Sequence, residues 1–395
     1  MSIIFSALSR VLKLLASHER FRKNVLNLIP SENVLSPAAK RALASDLAGR
    51  YAFKPEFYGG TRFSHEIWSI AEALGCEVFQ SDFCSVSPLS GHIALMMALD
   101  VCVGRGGKIA SPPPHTDGYP GLAGDKIPDV MNIETITLPY DDEEHRVITE
   151  EALEQIRREK PKAVVLGASI ILFSQPVKEI SEETHSYGGV VIFDASHVLG
   201  LIAGKAYPNP LKEGADIMLG STHKSFFGPQ GGIILSNDEK IMKSFDTKML
   251  HRFVDNLHFN RIAALAVALE EVKRYGMVYA SRVVENAKVL ARELEGRGVG
   301  VFKSRDGRYT ETHQVYWPQP PEQGAKVRDR LEEGGIVVDM GVRFGTNEVT
   351  RLGMGVKQMT KVAELVKTAL DGHVKEAKQE VKNLLKRFNK VKYTI

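Results

Sequence analysis

Four short apolar runs most constrain what this chain can fold into: KAVVLGAS (162–169), GGVVIFDAS (188–196), ADIMLGS (215–221) and GGIILS (231–236). None alternates polar with apolar residues. Each is continuous and rich in Val, Ile and Leu, the pattern of a strand covered on both faces. Helical patterns flank the first two runs, at 150–160 and 180–187. Doubly covered strands separated by helices predict an open α/β fold, with a mostly parallel central sheet and ligands at the strands' carboxyl ends. From Phe259 a helical pattern continues past Arg282, long enough to connect two domains. A strand near 313–317, a helix at 325–333 and a Lys/Glu-rich helix from Gly353 to about Phe388 follow. The expected organisation is an N-terminal helical arm (1–36), a large domain (37–258), and a connector helix with a smaller C-terminal α/β domain (259–395).

Composition narrows the class further. Of 395 residues, 43% are hydrophobic and 25% charged, typical of a soluble globular chain. Lys and Arg (51) nearly balance Asp and Glu (48), so the net charge of +3 does not point to nucleic acid. Cys76, Cys84 and Cys102 lack CxxC spacing, which argues against a disulfide framework or zinc site and suits a reducing cytoplasm. His65, His251 and His258 show no metal-ligand spacing either, and no metal is expected. No apolar run approaches the ~20 residues of a membrane span. The N-terminal stretch has no basic start, and Arg10 and Lys13 interrupt it. Its Ile4, Leu8, Val11, Leu12 and Leu15 share one helical face, as in an amphipathic packing helix. The basic C-terminal segment (382–395) reads as a solvated helix face.

The chemistry-bearing residues sit at strand ends. Asp194 closes VVIFD, His197 follows it, and Lys224 lies in GSTHKSFFGPQGG (220–232), one strand–loop–strand unit later. A lysine and a carboxylate at neighbouring strand ends face one crevice. Such a lysine can form a Schiff base with an aldehyde cofactor. The carboxylate can keep a pyridine nitrogen protonated, making the ring an electron sink. SPLSGHIALMMAL (87–99) reads as a small-residue turn opening a helix, where Ser90 and backbone N–H groups can cradle a phosphate. Each signal has a plainer reading by itself: Asp194 as a loop anchor, Ser90 as an ordinary N-cap.

Taken together with their neighbours, these residues resemble the serine hydroxymethyltransferase family of fold-type I pyridoxal-phosphate enzymes. The matching stretches are LIPSENVLSP (28–37), FYGGTRF (57–63), SPLSGH (87–92), FDASHVLGLIAGKAYPNP (193–210), STHKSFFGPQGG (221–232), RIAALAVAL (261–269) and GVRFGTNEVTRLGM (341–354). The resemblance implies pyridoxal 5'-phosphate as cofactor, with Lys224 as its Schiff-base lysine. Asp194 matches the partner of the pyridine nitrogen, and His197 the histidine near the cofactor's phenolic oxygen. Ser90, Gly91 and His92 fall on the phosphate turn, where His92 departs from the usual Ser-Gly-Ser. Ser169 in LGASI and Ser221 match cofactor contacts, His223 the residue beside the lysine, and His115 in PPPHTDG the ring-stacking histidine. Arg343 matches the arginine that binds the substrate carboxylate, a task for which its planar fork is suited. Ser31, Glu32, Tyr51 and Tyr58 match pocket residues, some of which the family supplies from a partner subunit. A homodimer with shared active sites is therefore implied.

Three departures bear on function. Between Tyr51 and Tyr58 the segment RYAFKPEFYGG (50–60) is shortened, with Phe53 near the family's acidic position, Phe57 in place of a tyrosine and Glu56 out of register. The family's long loop before the carboxylate arginine, which helps hold folate, is essentially deleted in EEGGIVVDMGVRFGTN (332–347). VDNLHFN (254–260) replaces a Gly-Gly pair that the family offers to its partner's phosphate site. The resemblance then implies an enzyme that interconverts serine or a related β-hydroxy amino acid and glycine by retro-aldol cleavage, with weak or no folate dependence. A folate- or modified-pterin-dependent hydroxymethyltransferase, an aminotransferase and a non-catalytic cofactor-binding relative remain open at this stage.

Overall fold

The computed structural model describes residues 2–54 and 56–395, and side chains from residue 7 onward apart from residue 55. The face expected around Ile4 lies partly outside the described side chains. A seven-stranded sheet forms the centre. Its strands, in chain order, are β1 (Phe83–Ser85), β2 (Lys108–Ser111), β3 (Glu134–Thr137), β4 (Ala163–Leu166), β5 (Val190–Asp194), β6 (Ile217–Ser221) and β7 (Gly232–Ser236). Their order across the sheet is β1-β7-β6-β5-β4-β2-β3.

The four apolar runs read from the sequence are β4 to β7, and the side chains of β4, β6 and β7 are fully buried. Helices Thr149–Glu159 and Val177–His185 make the crossovers on either side of β4. β7 departs from the parallel scheme, pairing antiparallel with β6 (Ser221 opposite Gly232) and with β1. The reason is the connection. Only the Lys224 loop joins β6 to β7, and without a crossover helix the chain must double back.

Helix Phe259–Glu295 has 37 residues, about 55 Å at 1.5 Å per residue. Its length lets it serve two cores. Residues from Phe259 to Val283 pack on the sheet layer, whereas Ala287, Leu290, Ala291 and Leu294 belong to a second core with Val315, Ile336 and Phe344. That second core also takes Leu26 and Leu28, because strand Leu26–Asn27 pairs parallel with Ile336–Val337. The boundaries expected at 36/37 and 258/259 therefore differ from the packing. The end of the expected arm joins the C-terminal unit, and the core changes inside the long helix. The Lys/Glu-rich tail is two helices, Val356–Leu370 and Val374–Arg387, separated at Gly372, whose φ of 94° suits glycine. Helix Ser2–Arg22 leaves Leu8, Val11, Leu12, Leu14 and Leu15 exposed. Among the described residues, no helix is long and apolar enough to cross a membrane.

Candidate active site

A cavity of about 140 Å³ opens at the carboxyl ends of β4, β5 and β6, lined by Ser90, Gly91, His92, Tyr119, Ala168, Ser169, Asp194, Ser196, His197, Ser221 and Lys224. Asp194 is the last residue of β5, and its Oδ1 accepts the Ser196 N–H at 2.9 Å, which orients the carboxylate. Lys224 follows β6 in a loop pinned from behind. Asn33 donates to its carbonyl at 2.9 Å and Asn347 at 3.3 Å, while the Tyr279 hydroxyl holds the Ser225 carbonyl at 3.2 Å. Burial lowers the pKa of Lys224, the Asp194 charge partly restores it, and Arg343 lowers it again. The ammonium form is thereby disfavoured, as a nucleophilic lysine requires.

Ser90 is the N-cap of helix Gly91–Cys102, its Oγ accepting the Ile93 N–H at 3.1 Å. Gly91 is required by closeness. A Cβ there would stand 2.5 Å from Ser221 Oγ, 2.9 Å from the Ser221 nitrogen and 3.0 Å from Ser196 Oγ. The two hydroxyls are themselves 3.3 Å apart. A helix N-terminus, two serine hydroxyls and a glycine whose side chain would fill the space make a cradle for a phosphate. With Lys224 and Asp194 across the same cavity, the residues fit pyridoxal phosphate: Ser90, Gly91, Ser196 and Ser221 toward its phosphate, Asp194 toward its ring nitrogen, Lys224 toward its aldehyde.

His197 is buried, and burial with the nearby Lys224 and Arg343 charges drives its pKa far down, so the ring is neutral. It stacks on His313 at 5.7 Å between ring centroids and 18° between planes. His313 is pushed down to about 3 by burial, and His223 to about 4 by burial and Lys224. Arg343 is tied to the cavity wall, donating from Nη1 to the carbonyl of the lining residue Ser169 at 2.6 Å.

The structure gathers Ser90, Gly91, His92, Ser169, Asp194, His197, Ser221 and Lys224 in one place. It does not bring His115 there. Residues 113–118 form a tight turn, with the Thr116 and Gly118 N–H groups on the Pro113 carbonyl at 3.2 and 2.9 Å, and His115 faces solvent. Tyr119 lines the cavity instead, its hydroxyl 2.7 Å from His92 Nδ1. Tyr51 and Tyr58 stand apart in an exposed aromatic cluster, 5.6 Å from each other, with Phe53 5.6 Å from Tyr58 and Phe57 5.0 Å from it. Glu32 turns toward the N-terminal helix, bonded to Arg22 at 2.6 Å and Asn27 at 3.0 Å, beside a half-buried Ser31. Tyr119, Ser196, His313 and Gln314 were not anticipated. Of these only Ser196, two residues after Asp194, carried a local signal.

A family model described as serine hydroxymethyltransferase matches residues 8–315. The chain is 38% identical to the serine hydroxymethyltransferase of Archaeoglobus fulgidus, over 98% of this chain and 92% of the relative. It is 37% identical to that of Sulfolobus acidocaldarius, over 98% and 94%. Among solved structures, L-threonine transaldolase from Pseudomonas fluorescens superposes with a TM-score of 0.89 and 24% identity, covering 100% of this chain and 96% of the other. That likeness supports the fold, and the sequence matches carry the family. Strand order, cavity and sequence converge on one statement: this chain belongs to the serine hydroxymethyltransferase family, enzymes of fold type I that work with pyridoxal phosphate.

Proposed function

We propose that this enzyme cleaves the Cα–Cβ bond of a β-hydroxy amino acid to give glycine and an aldehyde, with no need of a pterin acceptor. When bound, pyridoxal phosphate supplies the electron sink that accepts the pair left at Cα. The chain's own residues do the rest. Arg343 holds the substrate carboxylate. Asp194 keeps the ring nitrogen protonated, and His197 donates toward the phenolic edge. Lys224, disfavoured as an ammonium, provides an amine that moves the proton at Cα. That amine takes the β-hydroxyl proton as the Cα–Cβ bond breaks and the aldehyde departs, and the ammonium so formed returns the proton to Cα to complete glycine.

The observation that carries the folate-independent reading is the direct passage from strand Ile336–Val337 to strand Arg343–Gly345 through residues 338–342 alone. No long loop is available there to wall a pterin. The aromatic cluster of Tyr51, Phe53, Phe57 and Tyr58 supports the same reading, because Phe53 offers no proton where an acid is expected, and an apolar ring disfavours charge at that spot. A homodimer belongs to the proposal. The exposed apolar face of helix Ser2–Arg22 and the exposed Tyr51–Tyr58 cluster need a second subunit to cover them.

The second reading, hydroxymethyl transfer from serine to a pterin carrier, is favoured by the relatives named for that activity, which match the chain along 98% of its length. One experiment separates the two. Threonine cleavage and glycine α-proton exchange are measured with and without tetrahydrofolate. Equal rates support the proposal, and acceleration of serine cleavage and exchange by orders of magnitude overturns it.

A further inference from the structure

The short passage into Arg343 contains a second carboxylate whose placement is unusual. Val342 has a φ of 51°, in the left-handed region that a β-branched residue rarely enters, and it is fully buried in the C-terminal core. Its N–H closes the turn onto the Asp339 carbonyl at 3.1 Å. The Asp339 side chain then grips the residue that follows. Oδ1 accepts the Arg343 backbone N–H at 3.2 Å, while Oδ2 accepts Nε at 2.9 Å and Nη2 at 2.8 Å. On the other side, Nη1 donates to the Ser169 carbonyl at 2.6 Å.

An arginine has five N–H donors in one plane. Asp339 and Ser169 take three, leaving one on each terminal nitrogen, the pair able to grip a carboxylate with two parallel bonds. We infer that Asp339 is a positioning residue for substrate recognition: it fixes the Arg343 plane before the amino acid arrives and leaves one two-pronged edge for the α-carboxylate. The inference rests on the proposed role of Arg343 and deepens it. A guanidinium on a flexible stem would otherwise have to be ordered at the moment of binding, at a cost in affinity. Asp339 also offsets part of the Arg343 charge, so that fit rather than bare attraction selects the ligand. The strained turn is part of the device. Residues 338–342 place Asp339 and Arg343 four positions apart on one turn, and Val342 bears the backbone conformation that this needs.

The test compares glycine with glycinamide, which keeps the amine and lacks the carboxylate. Holoenzyme is titrated with each, and the dissociation constants are read from the cofactor absorbance, for the parent, Asp339→Asn, Asp339→Ala and Arg343→Lys. Both Asp339 variants are expected to bind glycine about tenfold more weakly, the worth of about one charge-assisted hydrogen bond, and glycinamide as the parent does. Arg343→Lys is expected to erase the preference for glycine. Unchanged or tighter glycine binding in the Asp339 variants, with the preference still lost in Arg343→Lys, overturns the inference and leaves the Arg343 role standing. Glycinamide binding lost together with glycine marks Asp339 as merely structural and also overturns it. A preference retained in Arg343→Lys removes the role of Arg343 itself, and the inference falls with it.

Discussion

Gln314 donates its side-chain amide to Nδ1 of His197 at 3.0 Å. The direction of that bond is set elsewhere. The Gln314 Oε1 accepts the Ile171 backbone N–H at 3.1 Å, and a backbone N–H can only donate. The amide nitrogen must therefore face the Ser169 carbonyl, at 3.1 Å, and His197. Nδ1 is the acceptor, so the proton of the neutral ring sits on Nε2. The same Ser169 carbonyl receives Arg343, which ties the carboxylate-binding side of the site to its cofactor side.

Replacing Gln314 by Leu strips this arrangement. The Ile171 N–H and His197 Nδ1 each lose a partner in a buried setting, at about 1–3 kcal/mol apiece. Denaturant unfolding of Gln314→Leu should show a loss of about 2–6 kcal/mol on that basis. Nitrogen NMR of labelled histidine in the parent should report His197 with its proton on Nε2. A proton on Nδ1 would contradict the amide orientation.

Gly91 should be intolerant of a single methyl. With Ser221 Oγ 2.5 Å and the Ser221 nitrogen 2.9 Å from the would-be Cβ, the β6 backbone itself has to shift. The expected result for Gly91→Ala is a folded protein with strongly reduced cofactor retention. Borohydride reduction provides the count: peptide mapping should find the cofactor label on Lys224 in the parent and little of it in the variant. Full labelling of Gly91→Ala would show that the phosphate is held elsewhere.

Glu348 gives a pH prediction with a definite sign. Burial pushes its pKa from an ordinary 4.5 up to about 7, although Asn27 at 2.5 Å and Arg22 at 4.0 Å both favour the carboxylate. The folded chain then holds a proton that the unfolded chain releases between about pH 4.5 and 7. The contribution of this group to stability is complete below that window and is lost as pH rises through it. Glu348→Gln cannot titrate, so its stability relative to the parent should climb by up to about 3 kcal/mol across the window and stay level outside it. His197, His223 and His313, all depressed, weaken the fold as the pH drops below the ordinary histidine range, but they cancel in the difference. A difference independent of pH would mean that Glu348 is ionised throughout.

What the sequence disclosed follows from how far each signal reaches along the chain. Lys224 and Asp194 were legible because each closes or follows a continuous apolar strand, a local pattern of a few residues. β1 to β3 were not, because FCS, KIAS and ETIT mix polar residues into runs of three or four and so lack a continuous apolar signal. Tyr119 was hidden behind the nearer His115 because the turn at 113–118 decides which side chain reaches the cavity, and its Pro-rich sequence gives no periodicity to follow. Gln314 and Asp339 act through partners 117 residues away and through a strained turn respectively. Neither kind of relationship leaves a mark in spacing or composition. The deletion before Arg343 was visible, but its consequence, Asp339 on the guanidinium, depends on the left-handed backbone at Val342, which spacing does not announce.

The joint between the two cores is built on Glu271 and Arg351, 2.6 Å apart and both with 0% of the side chain exposed. Glu271 belongs to the long connector helix, and Arg351 ends the helix that follows Arg343. The guanidinium lies 3.6 Å over the Phe227 ring in the Lys224 loop, and it also donates to the Tyr393 carbonyl near the C-terminus. The tail is fastened a second time by the Lys392 N–H on the Arg351 carbonyl at 2.8 Å. Two charges taken out of water repay their desolvation only while both are present. Glu271→Gln leaves the guanidinium without its counter-charge, and a loss of about 3–5 kcal/mol is expected in equilibrium unfolding. The double variant Glu271→Leu with Arg351→Met removes both charges and should recover most of that loss, since apolar groups of similar volume commonly replace a buried pair at little cost. If the double variant were no more stable than Glu271→Gln, the contacts of Arg351 with Phe227 and Tyr393, rather than its charge pair with Glu271, would hold the joint.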